Sequence, residues 1–319
     1  MTRMNSDRIL VADLLRVIAI IMVIFSHILF TMGRPWLQLY QVSFGIYPFM
    51  WRTWGELGVT IFLIISGFLL EHTYGGKQII FSRFYLKRIT RIYPIYYMSL
   101  LLGLMVQVVA SCWDHLYRSQ PFILLPDFGY LDFFLALSGF NAFWGKWGGP
   151  LVWSSWFIGV IMVIYLSYPV ISWGCRKSPW VCIALLFLTS VISRVLIGES
   201  TMFLRDPMEW FPLNRVFEFG LGVFLAQLIA HGFLRGFNPV LQGVPFLTSL
   251  SAISFPLFLI HDPLRRFIVF GPRNTISLTT GIFIFLLLSI ILSKVALAMD
   301  ERIKDKLKGA YLLRQVVTS

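Results

Sequence analysis

Charge is scarce in this chain. Of its 319 residues only 13% are Asp, Glu, Lys or Arg, against roughly 25% in a soluble globular domain. That excludes a disordered chain, a coiled coil and an ordinary soluble enzyme. Acidic residues are the rarer sign, 15 against 27 basic ones. Cysteine is nearly missing. Cys112, Cys175 and Cys182 are odd in number, which argues against a full disulfide framework, and they show no metal spacing. Cys175 and Cys182 flank an apolar stretch and read as packing residues. There is no low-complexity tract and no convincing internal repeat, which weighs against an inverted-repeat transporter. The apolar runs do not alternate, so membrane β-strands are excluded. The first apolar run is too long for a cleavable signal peptide and lacks a small-residue cleavage site. It reads as a retained first membrane helix.

What the chain does have is hydrophobe. Apolar and aromatic residues make up 57%, with 30 Phe, 12 Tyr and 11 Trp. A bilayer crossing takes about 20 apolar residues. The clear spans are Ile9–Met32, Leu57–Leu70, Ile92–Ala110, Leu151–Trp173, Trp180–Ile197, Val216–Ile229, Phe246–Ile260 and Ile276–Ala298. Tyr130–Phe143 is apolar but short, and reads as a re-entrant or interfacial piece. The expected fold is all-α: a polytopic membrane helix bundle of about 8–10 transmembrane helices with no soluble domain. One membrane domain covers 1–298, and a basic tail covers 299–319.

Basic residues orient the bundle. With the N-terminus inside, the inner segments hold Arg83, Lys87, Arg88 and Arg91 after the second span, and Arg302, Lys304, Lys306 and Lys308 after the last. Inner segments hold 15 basic residues in all, Arg235 among them, and outer loops hold 8, among them Lys146, Arg205, Arg266 and Arg273; this bias supports eight full spans with both ends cytoplasmic. The net charge of +12 then holds inner loops against an anionic leaflet. A nucleic-acid partner is rejected, because the basic residues are spread over both faces of many spans. The partner this composition names is the lipid bilayer.

Ionisable groups inside a span are costly and mark function by default. The first span carries Asp13, Arg16 and His27. Arg16 and His27 are 11 residues apart, three turns plus about 20°. They share one face, about 16 Å apart along the axis. Asp13 is three residues from Arg16 and can neutralise or orient it. A membrane histidine suits proton work because it titrates near neutrality. That holds for a general base and for a proton-coupled transporter, and the helix alone does not choose. Arg88 and Arg91, three apart at an inner helix start, make a candidate phosphate clamp. Alone, they read as the ordinary basic rim of an inner loop.

Taken together, these residues resemble the acyltransferase-3 family of integral membrane O-acyltransferases, over nearly the whole chain. Asp13, Arg16 and His27 are similar to its Asp-x-x-Arg…His helix. Gly58-Val59-Thr60-Ile61-Phe62-Leu63-Ile64-Ile65-Ser66-Gly67-Phe68 resembles its Gly-Val…Ser-Gly-Phe segment, with Thr60 where many members carry Asp. Arg88-Ile89-Thr90-Arg91, followed by Tyr93-Pro94, is similar to its Arg-x-x-Arg motif. Trp156, Tyr165 and Tyr168-Pro169 resemble its Trp-led helix. Arg215, Glu218-Phe219 and Gly222 look like its Arg-x-x-Glu-Phe-x-x-Gly block. Ser254-Phe255, Leu259, His261 and Pro263 resemble its late Ser…His-x-Pro helix.

The resemblance implies an O-acetyltransferase of the bacterial cytoplasmic (inner) membrane. The acyl donor would be cytoplasmic acetyl-CoA. The acceptor would be a hydroxyl of a surface glycan, such as O-antigen, or of an undecaprenyl-linked sugar. Catalytic roles fall to His27, as general base or covalent acyl carrier, with Arg16 and Asp13. Arg16 would hold the thioester region or stabilise developing negative charge. CoA binding falls to Arg88 and Arg91. Substrate-binding candidates are Glu218, His261, Trp153 and Trp156. Glu218 also reads as half of a structural ion pair, and His261-Asp262-Pro263 as a helix-terminating turn near the outer face. Trp144, Trp147, Trp153 and Trp156 read as an interfacial belt or a sugar-stacking surface. No metal site is expected. The other readings are a polysaccharide or glycolipid transporter or flippase, and an assembly subunit. The aligned charges of the first span argue against the latter.

Overall fold

A computed structural model describes residues 10–34, 42–43, 50–51, 53–122, 129–144, 151–198, 211–231, 245–270 and 278–317. Lys146, Trp147, Arg205, Arg235 and Arg273 lie outside the described residues, as do the side chains of Trp144 and Arg266. The described residues form nine α-helices and a two-residue antiparallel ladder that pairs β1 (Val42–Ser43) with β2 (Met50–Trp51). The helices are α1 Leu10–Thr31, α2 Trp54–Tyr74, α3 Phe81–Arg118, α4 Tyr130–Ser138, α5 Trp156–Lys177, α6 Pro179–Gly198, α7 Val216–Ala230, α8 Pro245–Phe270 and α9 Leu278–Val317. Short 3-10 turns, Trp153–Ser155 and Pro212–Arg215, lead into α5 and α7.

Eight of these segments are long and apolar enough to cross a bilayer. The chain is an all-α polytopic membrane protein. Helix α4, with 9 residues, reaches only about 14 Å and cannot cross. Its C-terminal carbonyls are held by α3 instead: Tyr93 Oη donates to Ser138 O at 2.8 Å and Tyr96 Oη to Ala136 O. Tyrosine hydroxyls thus satisfy the backbone of a helix that stops short. Two helices exceed a bilayer: α3 has 38 residues and α9 has 40, about 57 and 60 Å. The basic segment after Met299 therefore continues the last helix as far as Val317.

Helix α1 shows why the bundle orients as it does. Leu14, Ile18, Ile21 and Phe25 are exposed at helical spacing, and form the apolar stripe that faces lipid. Ala19, Ile20 and Val23 are buried against the bundle. Lipid is as apolar as leucine, so burial alone does not drive helices together, and close packing of small residues must. The clearest case joins α2 to α7. A Cβ on Gly67 would lie 2.0 Å from the Phe219 carbonyl oxygen, and one on Gly222 would lie 1.9 Å from the Ile64 oxygen. The two backbones touch through reciprocal glycines. Helix α2 thereby packs between α1 and α7, while α8 packs between α1 and α9. Cys175 and Cys182 are free thiols facing each other across the α5–α6 hairpin, Sγ to Sγ 2.8 Å.

Candidate active site

The polar stripe of α1 meets a matching stripe of α8. Ser251, Ser254, Phe258 and His261 recur every three or four residues and share one α8 face. The stripes join at two points. At the first, Ser251 Oγ donates to Asp13 Oδ1 at 2.6 Å, and Asp13 also pairs with Arg16 at 3.5 Å. At the second, His27 Nδ1 lies 2.8 Å from His261 Nε2, with ring centroids 5.0 Å apart.

A further bond orders the second junction. His261 Nδ1 lies 2.8 Å from the Leu257 carbonyl oxygen, one turn earlier in α8. A carbonyl only accepts, so Nδ1 of His261 carries the proton. In the neutral ring Nε2 is then a lone pair, and His27 Nδ1 must donate to it. His27 is left with its Nε2 lone pair unprotonated, which is the form a base needs. The same logic orients the histidine of a Ser-His-Asp triad, with an imidazole here in place of the carboxylate.

The expected helix end at His261-Asp262-Pro263 is corrected. Helix α8 runs on to Phe270 with Pro256 and Pro263 inside it, and His261 is wholly buried. Proline is tolerated in membrane helices because neighbouring groups re-satisfy the freed backbone. Nearby, Asp262 Oδ2 accepts from Ser154 N at 2.8 Å and Oδ1 lies 3.5 Å from Arg265. This binds α8 to the turn that opens α5. The sequence signal for His261 was there, a serine-to-histidine stripe at helical spacing, and Pro263 masked it.

Asp13 and Arg16 open into a cavity of about 830 Å³. Arg88 and Arg91 of α3 and Lys77 line it too, so among the described residues four cations and one carboxylate share the space. Both arginines of the Arg-x-x-Arg pair thus face the cavity that holds Arg16. Arg88 is buried and caged. Its guanidinium carbon lies 5.6, 5.4 and 5.8 Å from the ring centroids of Tyr74, Phe84 and Tyr165, and Nη2 donates to Tyr74 Oη at 3.2 Å. Cation–π contacts hold it in place while Nε has no hydrogen-bond partner among the described residues. Arg91 is exposed at the cavity rim. Neither His27 nor His261 lines this space, whereas Phe62, Phe157 and Phe258 do.

Arg16 and His27 are separated by 11 residues of unbroken helix, about 16 Å. Arg16 lies in the cationic cavity, which His27 does not line. Glu218 is buried between Arg194 Nη2 at 2.9 Å and Arg215 Nη1 at 3.3 Å. Arg215 also donates to Thr60 Oγ1 at 3.2 Å. This ion-paired knot fastens α6 and α7 to α2 and does not line the cavity. Trp156 is buried with its ring edge-on to Phe157, centroids 5.9 Å apart, so it offers no open face for a sugar. Trp153 is 37% exposed, next to the Ser154–Asp262 junction.

Comparison with known proteins identifies the family. Residues 10–299 match the acyltransferase-3 family, described as an acyltransferase domain. The acyltransferase MdmB of Streptomyces mycarofaciens is 27% identical over 206 residues, covering 58% of this chain and 49% of that protein. The match thus spans about half the length of this curated relative. No solved structure matches. With the family match reaching from the first residue of α1 into α9, the chain belongs to the acyltransferase-3 family of integral membrane proteins.

Proposed function

We propose that the protein transfers an acetyl group from cytoplasmic acetyl-CoA to a hydroxyl of a surface glycan or an undecaprenyl-linked sugar. It would do so from the bacterial inner membrane, with both chain ends cytoplasmic. The observation that carries this reading is the pairing of two sites along one helix. A cationic cavity surrounds Arg16, and an ordered histidine pair sits three turns away at His27. CoA has that shape. Its phosphates lie at one end of the pantetheine arm and its thioester at the other. Arg88, Arg91, Lys77 and Arg16 supply charge for the phosphates, and Asp13 holds Arg16 in position.

In this mechanism His27 Nε2 takes the proton from the acceptor hydroxyl, and the oxygen attacks the thioester carbonyl carbon. The tetrahedral intermediate collapses with cleavage of the C–S bond. The CoA thiolate recovers the proton from the His27 imidazolium, and ester and thiol are the products. His261 is a positioning residue. It fixes the His27 tautomer and shares the positive charge of the imidazolium.

The test is the surface glycan of deletion and complemented cells, weighed before and after mild alkali. An alkali-labile difference matching acetyl, lost in the His27→Ala variant, is expected. General-base catalysis contributes roughly 10²–10⁴-fold, so that variant should insert normally and retain little activity. No ester in complemented cells, or a His27→Ala variant acetylating at the wild-type rate, refutes the reading. A transporter would leave no protein-dependent ester.

A further inference from the structure

The cavity and the histidine pair do not meet. One side chain adjoins both. Phe258 lines the cavity, and it lies one helical turn before His261 on the same α8 face. Its ring centroid is 6.4 Å from the His261 ring. It is also 5.1 Å from Phe157 and 6.1 Å from Phe62, two rings that line the cavity with it. Phe157 and Phe258 are buried, and Phe62 is half-buried. Phe258 thus adjoins the cavity on one side and the His261 ring on the other. On the cavity side are the cations, and on the far side is the base.

The geometry points to Phe258, backed by Phe62 and Phe157, as an acyl gate that sets which acyl groups the protein transfers. This inference rests on the proposed acyl-CoA reaction. With the phosphates held at Arg88 and Arg91, the end of the donor that reaches Phe258 first is the acyl tail, because it projects beyond the sulfur. The tail must pass the Phe258 ring before the carbonyl carbon can meet a hydroxyl activated by His27. A rotamer swing of one ring admits a short tail. A long one needs all three rings displaced from a close-packed core, where added volume is costly. The closed ring also separates the thioester from the histidine pair until an acyl group enters.

The experiment uses membranes carrying the full chain, supplied in turn with acetyl-CoA, butanoyl-CoA and octanoyl-CoA. Released CoA thiol and alkali-labile ester on the glycan are both measured. The wild-type chain should use acetyl-CoA best. Since a single methylene in a tight apolar site is worth roughly 10–200-fold, Phe258→Ala should raise the butanoyl-to-acetyl ratio by about tenfold or more. Octanoyl transfer should become measurable, and His27→Ala in the same background should abolish ester from every donor. If Phe258→Ala does not accumulate in the membrane, Phe62→Ala, at the half-buried ring, should shift the ratio the same way. An unchanged ratio in an inserted, active variant overturns the gate, as does equal loss of all three donors. So does a wild-type chain that takes octanoyl-CoA as readily as acetyl-CoA. Each of those results leaves the acyltransferase reading standing. Absence of ester from any donor with the wild-type chain defeats that reading, and the gate with it.

Discussion

Replacing His261 with alanine tests the ordering of the histidine pair. His261 Nε2 lies 2.8 Å from His27 Nδ1, with His261 wholly buried and His27 half-buried. Alanine removes the acceptor and leaves an N–H donor with no protein partner. A buried donor stranded in this way costs about 1–3 kcal/mol. His27 can escape the cost by turning its ring or moving its proton to Nε2, and either escape removes the lone pair needed for catalysis. If the whole cost falls on the transition state, the rate drops by about 5–150-fold, at 1.36 kcal/mol per tenfold. That is a smaller loss than for His27→Ala. His261→Gln should recover part of it, because a side-chain amide oxygen can accept the same bond. The assay is the initial rate of CoA release from acetyl-CoA in membranes with matched protein levels, across pH. The His27→Ala/His261→Ala double variant should be no slower than His27→Ala alone, since the two rings act as a unit. A wild-type rate for His261→Ala, or losses that multiply in the double variant, would refute the reasoning.

Arg91→Ala and Arg88→Lys should raise the KM for acetyl-CoA several-fold with a smaller effect on kcat. In the proposed reaction the phosphate end of the donor is held far from the reacting carbon, and lysine cannot reproduce the planar contacts of a caged guanidinium. Steady-state kinetics separate the two parameters, and a pure kcat loss would place the arginines elsewhere in the cycle. Gly222→Ala should impair accumulation of folded protein more than any surface change, because its Cβ would sit 1.9 Å from the Ile64 carbonyl oxygen and would force α2 and α7 apart. Detergent-solubilised thermal unfolding would register this as a lower Tm, and an unchanged Tm would contradict the backbone contact.

The spans, the all-α class and the polar face of α1 were legible in the sequence because each follows from local chemistry. Twenty apolar residues suit a bilayer, and three polar groups at helical spacing share a face whatever surrounds them. The short Tyr130–Phe143 piece was legible for the same reason, since its length forbids a crossing. Partnership was not legible. Pro263 suggests a helix end, yet α8 passes through it, and His261 becomes the acceptor for His27, 234 residues away in the chain. Glu218 gives no local sign that it will pair with Arg194 as well as with nearby Arg215.

Which residues are polar, apolar or small was written in the chain, and with it the apolar spans and the stripe each presents. Which stripes face each other was decided by packing alone. In lipid, apolar faces are nearly interchangeable, so neighbours are chosen where backbones can touch, as at Gly67 and Gly222, and where buried polar groups find partners. The bond that leaves His27 an unprotonated nitrogen depends on an α8 that only such contacts bring against α1.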